Sequence, residues 1–337
     1  MHMADALLSP QVGLTMTVIT AATLALAARK TMKDTTFDER KIPMMGVMGA
    51  FIFAAQMINF TIPATGSSGH IGGGILLAGV LGPWPALLTI TAVLLIQALF
   101  FADGGLLALG CNIFNMGVCA SLLGYFCVFR PILKNGLSAK KIAVASTAAV
   151  ILGLQAGSFC VVLETLASNV TELPFSAFAM MMQPIHLAIG AAEGLITAAV
   201  LCYIYATRPE IIEAPLAGDR IKPAVSVRKT VVTFALLTVA VGCVLSLFAS
   251  QHPDGLEWSM EKTAGVAELV RSGGIYDSLA KLAEHTAFMP DYSFELPASV
   301  NPNAATSAAG LVGSLMTLAA AGGAAMLIGL FKRKKNA

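Results

Sequence analysis

Residues 11–28, QVGLTMTVITAATLALAA, hold no charged side chain, and Arg29, Lys30, Lys33, Arg40 and Lys41 follow at once. At 1.5 Å per residue such a run rises about 27 Å, close to the roughly 30 Å hydrocarbon core of a bilayer. A secretory leader carries its positive charge before the apolar stretch, whereas here the charge comes after it. The run therefore reads as a retained span, with the N-terminus outside and residues 29–42 on the cytoplasmic side.

The rest of the chain repeats this reading. Of 337 residues, 56% are hydrophobic and only 12% charged, against roughly 25% charged in soluble domains. Further apolar runs cover about 43–60, 71–81, 85–102, 106–129, 142–168, 178–206, 229–249 and 306–331. Nine segments that start outside end inside, and the chain closes on Lys332-Arg333-Lys334-Lys335. The expected inner loops 29–42, 130–141, 208–229 and the C-terminus hold 18 of the 21 Lys and Arg, as the positive-inside rule requires. That placement accounts for the basic residues without nucleic acid. The expected class is an all-α polytopic protein of the prokaryotic cell (inner) membrane, in contact with lipid, its N-terminus outside and its C-terminus cytoplasmic.

The run 71–81 is too short to span unaided, rising only about 17 Å. It begins at Gly72-Gly73-Gly74 and stops at Gly82-Pro83-Trp84-Pro85, where two prolines bar helix continuation. Short glycine-interrupted helices at membrane depth occur buried in protein, often beside binding sites. Residues 61–74 are read as an outer loop folding back into the bundle, with His70 near its tip. The six cysteines all lie in apolar runs and read as small buried hydrophobes.

The N-terminus carries the chemistry. In Met1-His2-Met3-Ala4-Asp5 the α-amine and the His2 backbone nitrogen close one chelate ring, and that nitrogen and the His2 imidazole close a second. Three nitrogens then share a plane, and one outside ligand completes a square. Such tetragonal nitrogen sites suit Cu(II) and Ni(II) better than Zn(II). Polar groups inside membrane runs point to a polar interior. Gln56 and Asn59 end the second run beside the 61–74 loop, which includes Ser68. Asp103 sits in the turn Phe101–Gly105, and Asn112 and Asn115 share one helical face. These six are candidates to surround a metal site. His186, Gly190 and Glu193 keep three-to-four spacing and read first as a packing or subunit interface, second as metal ligands.

Several stretches together resemble one family. MHMADALLSP, PMMGVMGAFIFAAQMINF followed by GSSGHIGGG, LGPW, FADGGLLALGCNIFNM and HLAIGAAEGLIT look like the NikM/CbiM substrate-capture component of energy-coupling-factor nickel and cobalt importers. Residues 229–337 resemble the NikN/CbiN (PDGLE) partner, with Pro253-Asp254-Gly255-Leu256-Glu257-Trp258 and Met289-Pro290-Asp291-Tyr292 in an outer loop, 250–305. Asp254, Glu257 and Trp258 are expected to dock on the capture part. The resemblance implies a fused NikMN-type chain: a capture domain of about seven helices (1–206), a cytoplasmic linker (207–228) and a two-helix unit (229–337). It supplies His70 as the fourth ligand to Met1 and His2, nickel or cobalt as cargo, no organic cofactor, and an ATPase and a transmembrane coupling subunit as separate chains. No GxxxxGK[ST] phosphate loop occurs in this chain. Ala6 stands where Gly is common, and Met3 where Ile is common; Met3 is read as an apolar filler.

Two other classes compete. An ion-gradient-driven divalent metal permease wants acidic or His relays through the membrane, and the inner half is nearly free of them. An intramembrane enzyme wants a motif such as HExxH or GxSxG, and neither occurs.

Overall fold

Ser9 and Pro10 start the first helix. The Ser9 hydroxyl accepts from the Val12 backbone N–H at 3.4 Å and Pro10 fills the first turn, where no amide partner is needed. In this computed structural model, residues 1–34, 37–220, 226–293 and 303–336 are described. Parts of the expected linker (221–225) and outer loop (294–302) lie outside them. The helices are α1 Pro10–Lys33, α2 Lys41–Gln56, α3 Gly74–Leu81, α4 Pro83–Phe100, α5 Leu109–Leu133, α6 Ala139–Ser168, α7 Phe175–Thr207, α8 Glu210–Ala217, α9 Arg228–Cys243, α10 Gly255–Ala264, α11 Ile275–Thr286 and α12 Asn303–Asn336. α5 takes wide-turn π geometry over Ile113–Phe129.

Six of these helices, α1, α4, α5, α6, α7 and α12, are long and apolar enough to cross a membrane. Three of the nine apolar runs form shorter helices among the described residues. The second run becomes a 16-residue helix, α2, buried almost throughout. The run 229–249 becomes the 16-residue α9 followed by a 3₁₀ turn, Leu245–Phe248; sixteen residues rise only about 24 Å. The run 71–81 becomes α3, whose eight residues are all buried. Hydropathy counts apolar side chains, and protein-buried helices need them as much as lipid-facing ones.

Residues 60–69 are not a plain loop. β1 (Phe60–Ile62) and β2 (Ser67–Gly69) form an antiparallel hairpin, Phe60 opposite Gly69. Its tip is 63–66, where Ala64 and Gly66 take φ of 63° and 75°. His70 therefore sits at the base of the hairpin, not the tip, just before the glycines that lead into α3.

The C-terminal helices are interlocked with the rest. α12 packs on α2 and α4, and α9 packs on α2. α9 and α12 cross at Gly242 and Gly310, where a Cβ on Gly310 would stand 2.1 Å from the Gly242 carbonyl oxygen. At the end opposite the hairpin, the Lys332 ammonium donates to the backbone of Asp34 and Phe37, and Tyr205 donates to the Leu137 carbonyl. The basic loops thus gather at one end and the hairpin lies at the other.

Candidate metal centre

The first eight residues hook back into the bundle. Asp5–Leu7 form one 3₁₀ turn that buries Ala6 and Leu7. Ala6 has no left-handed φ there, so the turn has no need of glycine. Asn112 clamps the hook: its Oδ1 accepts from Met3 N–H at 2.8 Å, and its Nδ2 donates to Met3 O at 3.1 Å. The same carbonyl accepts from Gly105 N–H at 2.9 Å, and Asp5 Oδ1 accepts from Ala108 N–H at 3.0 Å. A Cβ on Gly105 would lie 1.8 Å from that Asp5 oxygen, so only glycine lets the strands meet. Burial raises the Asp5 pKa, opposed by the backbone N–H groups of residues 106–108.

With residue 3 fixed, Met1 and His2 lie under cover. The Met1 amine pairs with the Asp254 carboxylate. His2 Nδ1 is 3.2 Å from Asp103 Oδ1, while the other Asp103 oxygen accepts from the Tyr292 hydroxyl. The His2 and His70 rings stack, with centroids 5.4 Å apart and planes 20° apart, although 68 positions separate them in sequence (70 − 2). His2 Nε2 is buried without a hydrogen-bond partner among the described residues.

The electrostatics favour neutral imidazoles. Burial lowers the His2 pKa, with the Asp103 charge opposing. Burial, then the Met1 ammonium and His2, push His70 down to about 3. Burial acts to raise the Asp254 pKa, but the Met1 ammonium outweighs it and holds that carboxyl below the ordinary range. Neutral imidazoles present the lone pairs a metal takes. Among the described residues, no three His, Cys, Asp or Glu side chains converge as a metal-binding group. The Met1 amine and the His2 backbone lie beside the two imidazoles.

The other predicted residues divide. Asp103 touches His2, and Asn112 fixes Met3. Asn115 Nδ2 donates to Glu164 Oε2 at 2.7 Å and lies 3.7 Å from Met3 Sδ, so Met3 is buried filler held by an amide. Gln56 Nε2 donates to Gly72 O at 3.0 Å and steadies the segment that carries His70. Asn59 contributes only its carbonyl, to Ser250 N–H at 2.7 Å. Ser68 faces away from the donors: its N–H bonds Pro253 O at 2.8 Å and its hydroxyl bonds His252 O at 2.7 Å.

The His186 face packs inside this chain. A Cβ on Gly190 would lie 3.3 Å from Ile151 Cα of α6, and Glu193 Oε1 accepts from Gly73 N–H at 2.9 Å, at the start of α3. His186 itself is buried beside Gly255. Asp254 and Glu257 form a reciprocal capping box on α10: Asp254 Oδ1 accepts from the N–H groups of Leu256 (2.7 Å) and Glu257 (3.0 Å), and Glu257 Oε2 accepts from Asp254 N–H at 2.9 Å. Trp258 Nε1 donates to Thr65 O in the hairpin tip at 3.0 Å. Tyr292 stacks on Phe101 with centroids 5.0 Å apart. The C-terminal part thus roofs the N-terminal hook.

Three residues escape the sequence reading: Tyr292 as partner of Asp103, Gln97 beside His2, and buried Glu164. For Gln97 and Glu164 the signal was present, a polar residue inside an apolar run.

Residues 2–211 match the family described as CbiM, cobalt uptake substrate-specific transmembrane region, and residues 228–330 match the PDGLE domain. The chain is 34% identical over 277 residues to a putative fused nickel transport protein NikMN of Archaeoglobus fulgidus, covering 82% of this chain and 83% of the relative. It is 30% identical over 319 residues to the fused nickel transport protein NikMN of Rhodobacter capsulatus, covering 87% and 88%. A crystal structure of a truncated transition metal transporter superposes with TM-score 0.54 at 32% identity, covering 61% of this chain and 99% of that one.

Proposed function

Because the chain belongs to the CbiM family, the cobalt uptake substrate-specific transmembrane region, with a PDGLE domain after it, we propose that it is the metal-capturing subunit of an energy-coupling-factor importer for Ni(II) or Co(II). The cargo is bound at the outer face by the Met1 amine, the His2 backbone nitrogen and Nδ1, and the His70 ring. The observation that carries this is the stacking of His2 on His70, 5.4 Å between centroids, beside a buried chain-terminal amine.

Only Nδ1 of His2 closes a six-membered ring with its own backbone nitrogen; Nε2 is too far along the ring. Nδ1 lies 3.2 Å from Asp103 Oδ1, and the amine pairs with Asp254. Four nitrogens, one a deprotonated amide, suit Ni(II) in a square plane, and copper is excluded by availability or access, since it binds such donors more tightly. ATP hydrolysis and coupling come from separate chains, so uptake in cells requires their co-expression. His70→Ala removes one in-plane donor from a hairpin base that the β-ladder holds without it. The expected result is far less bound nickel by elemental analysis with normal membrane insertion. Undiminished nickel would remove His70 from the site.

A further inference from the structure

Behind the N-terminal site lies a partly enclosed cavity of about 30 Å³, lined by Met1, His70, His186, Glu193, Asp254 and Asn115 among others. A space of this size holds one water-sized occupant. One wall is unusual. His186 is 1% exposed, its Nδ1 lies 2.7 Å from the Met182 carbonyl, and its Nε2 has no hydrogen-bond partner among the described residues. A carbonyl only accepts, so Nδ1 carries hydrogen and the neutral ring leaves its lone pair on Nε2. This is the arrangement of a metal-ligating imidazole, one nitrogen pinned by a backbone oxygen and the other free. A buried nitrogen without a partner is destabilising, and an occupant of the cavity relieves that cost.

Two further features set the direction. Gly255, directly after Asp254, makes room at the ring: a Cβ there would lie 2.9 Å from His186 Cε1 and 3.0 Å from Nε2. Glu193 lies seven residues further along α7, on the same face and about 10 Å deeper, and its carboxylate also lines the cavity. The amine, His70, His186 and the Glu193 carboxylate thus share the lining of one cavity.

We propose that His186 Nε2 is a second, inner ligand position for a divalent transition-metal cation, reached through this cavity after capture. The assignment rests on the reading that Met1, His2 and His70 bind the ion first. Asp254 and Glu193 line the same cavity as the imidazole.

The test uses the full chain and Co(II) as probe. His186→Cys places a thiolate where the imidazole stood. A second equivalent of Co(II), added after the first has filled the N-terminal site, should then produce a thiolate-to-cobalt charge-transfer band. Wild type, with six free cysteines of its own, is the baseline. In parallel, His186→Gln should keep the first equivalent with unchanged affinity while metal uptake, measured with the partner subunits present, falls roughly tenfold or more. No new band, or undiminished uptake by His186→Gln, overturns the inner position and leaves a water-filled cavity. His2→Ala separates this failure from the other: if it retains the first equivalent, the capture reading itself is wrong whatever His186 does.

Discussion

Replacing Asn112 with Ala tests how the site is built rather than what it contains, because Asn112 touches no proposed donor. It holds the backbone of Met3 with two bonds, 2.8 Å to the N–H and 3.1 Å to the carbonyl. The carbonyl keeps Gly105 N–H at 2.9 Å, so Asn112→Ala leaves one wholly orphaned buried donor. That costs about 1–3 kcal/mol; taking about 2, the equilibrium constant for closing the hook falls roughly 30-fold. A site formed only in the closed state loses affinity by up to the same factor. Competition against a coloured metal chelator should therefore show nickel affinity lowered, by as much as about 30-fold, with the helical fold intact. Asn115→Ala is the control: its amide serves Glu164 and the Met3 sulfur, not the Met3 backbone, and its effect on affinity should be much smaller. An Asn112→Ala protein within about threefold of wild-type affinity would refute the clamp.

Asp5→Asn keeps an acceptor for Ala108 and removes a charge that burial disfavours. A carboxyl with a raised folded pKa binds more protons folded than unfolded, so it lowers stability as pH rises from 3.8 through the raised value. The variant should lack that decline, and melting curves across this pH range check it. Gly310→Ala forces a Cβ to within 2.1 Å of Gly242 O; overpacking of about 1–3 kcal/mol should lower the melting temperature without changing nickel bound per mole. Deleting 229–337 removes Asp254 from the amine and Tyr292 from Asp103 but no proposed donor. The truncated protein should still bind nickel while uptake is impaired; loss of the metal would contradict that division.

What the sequence disclosed and what it hid divide along physical lines. The Met1–His2 chelate is local covalent geometry, readable from two residues. The basic loops are readable because lipid and the membrane potential act on charge alone. The Asn112–Met3 clamp joins positions 109 apart (112 − 3) through backbone atoms, which leave no trace in side-chain pattern. The hairpin Phe60–Gly69 hides in a stretch that reads as a flexible loop, since Thr65-Gly66-Ser67-Ser68 names a turn but not its ladder. α2, α3 and α9 have the composition of spans, yet α2 and α3 owe it to burial in protein. Glu164 and Gln97 were overlooked because each is one polar residue in a long apolar run, and only the fold shows that both point inward.

The proposed site uses the chain terminus itself as a ligand. An amine binds metal only when unprotonated and unacylated, and any residue joined before Met1 turns it into an amide and moves the chelate out of register. Two tagged proteins suffice, one with a short extension before Met1 and one with the same extension after Ala337, matched for expression and assayed for nickel per mole of protein. The N-terminal extension should abolish binding as fully as His2→Ala does, while the C-terminal one should leave it unchanged. Normal nickel content in the N-terminally extended protein would remove the Met1 amine from the donor set.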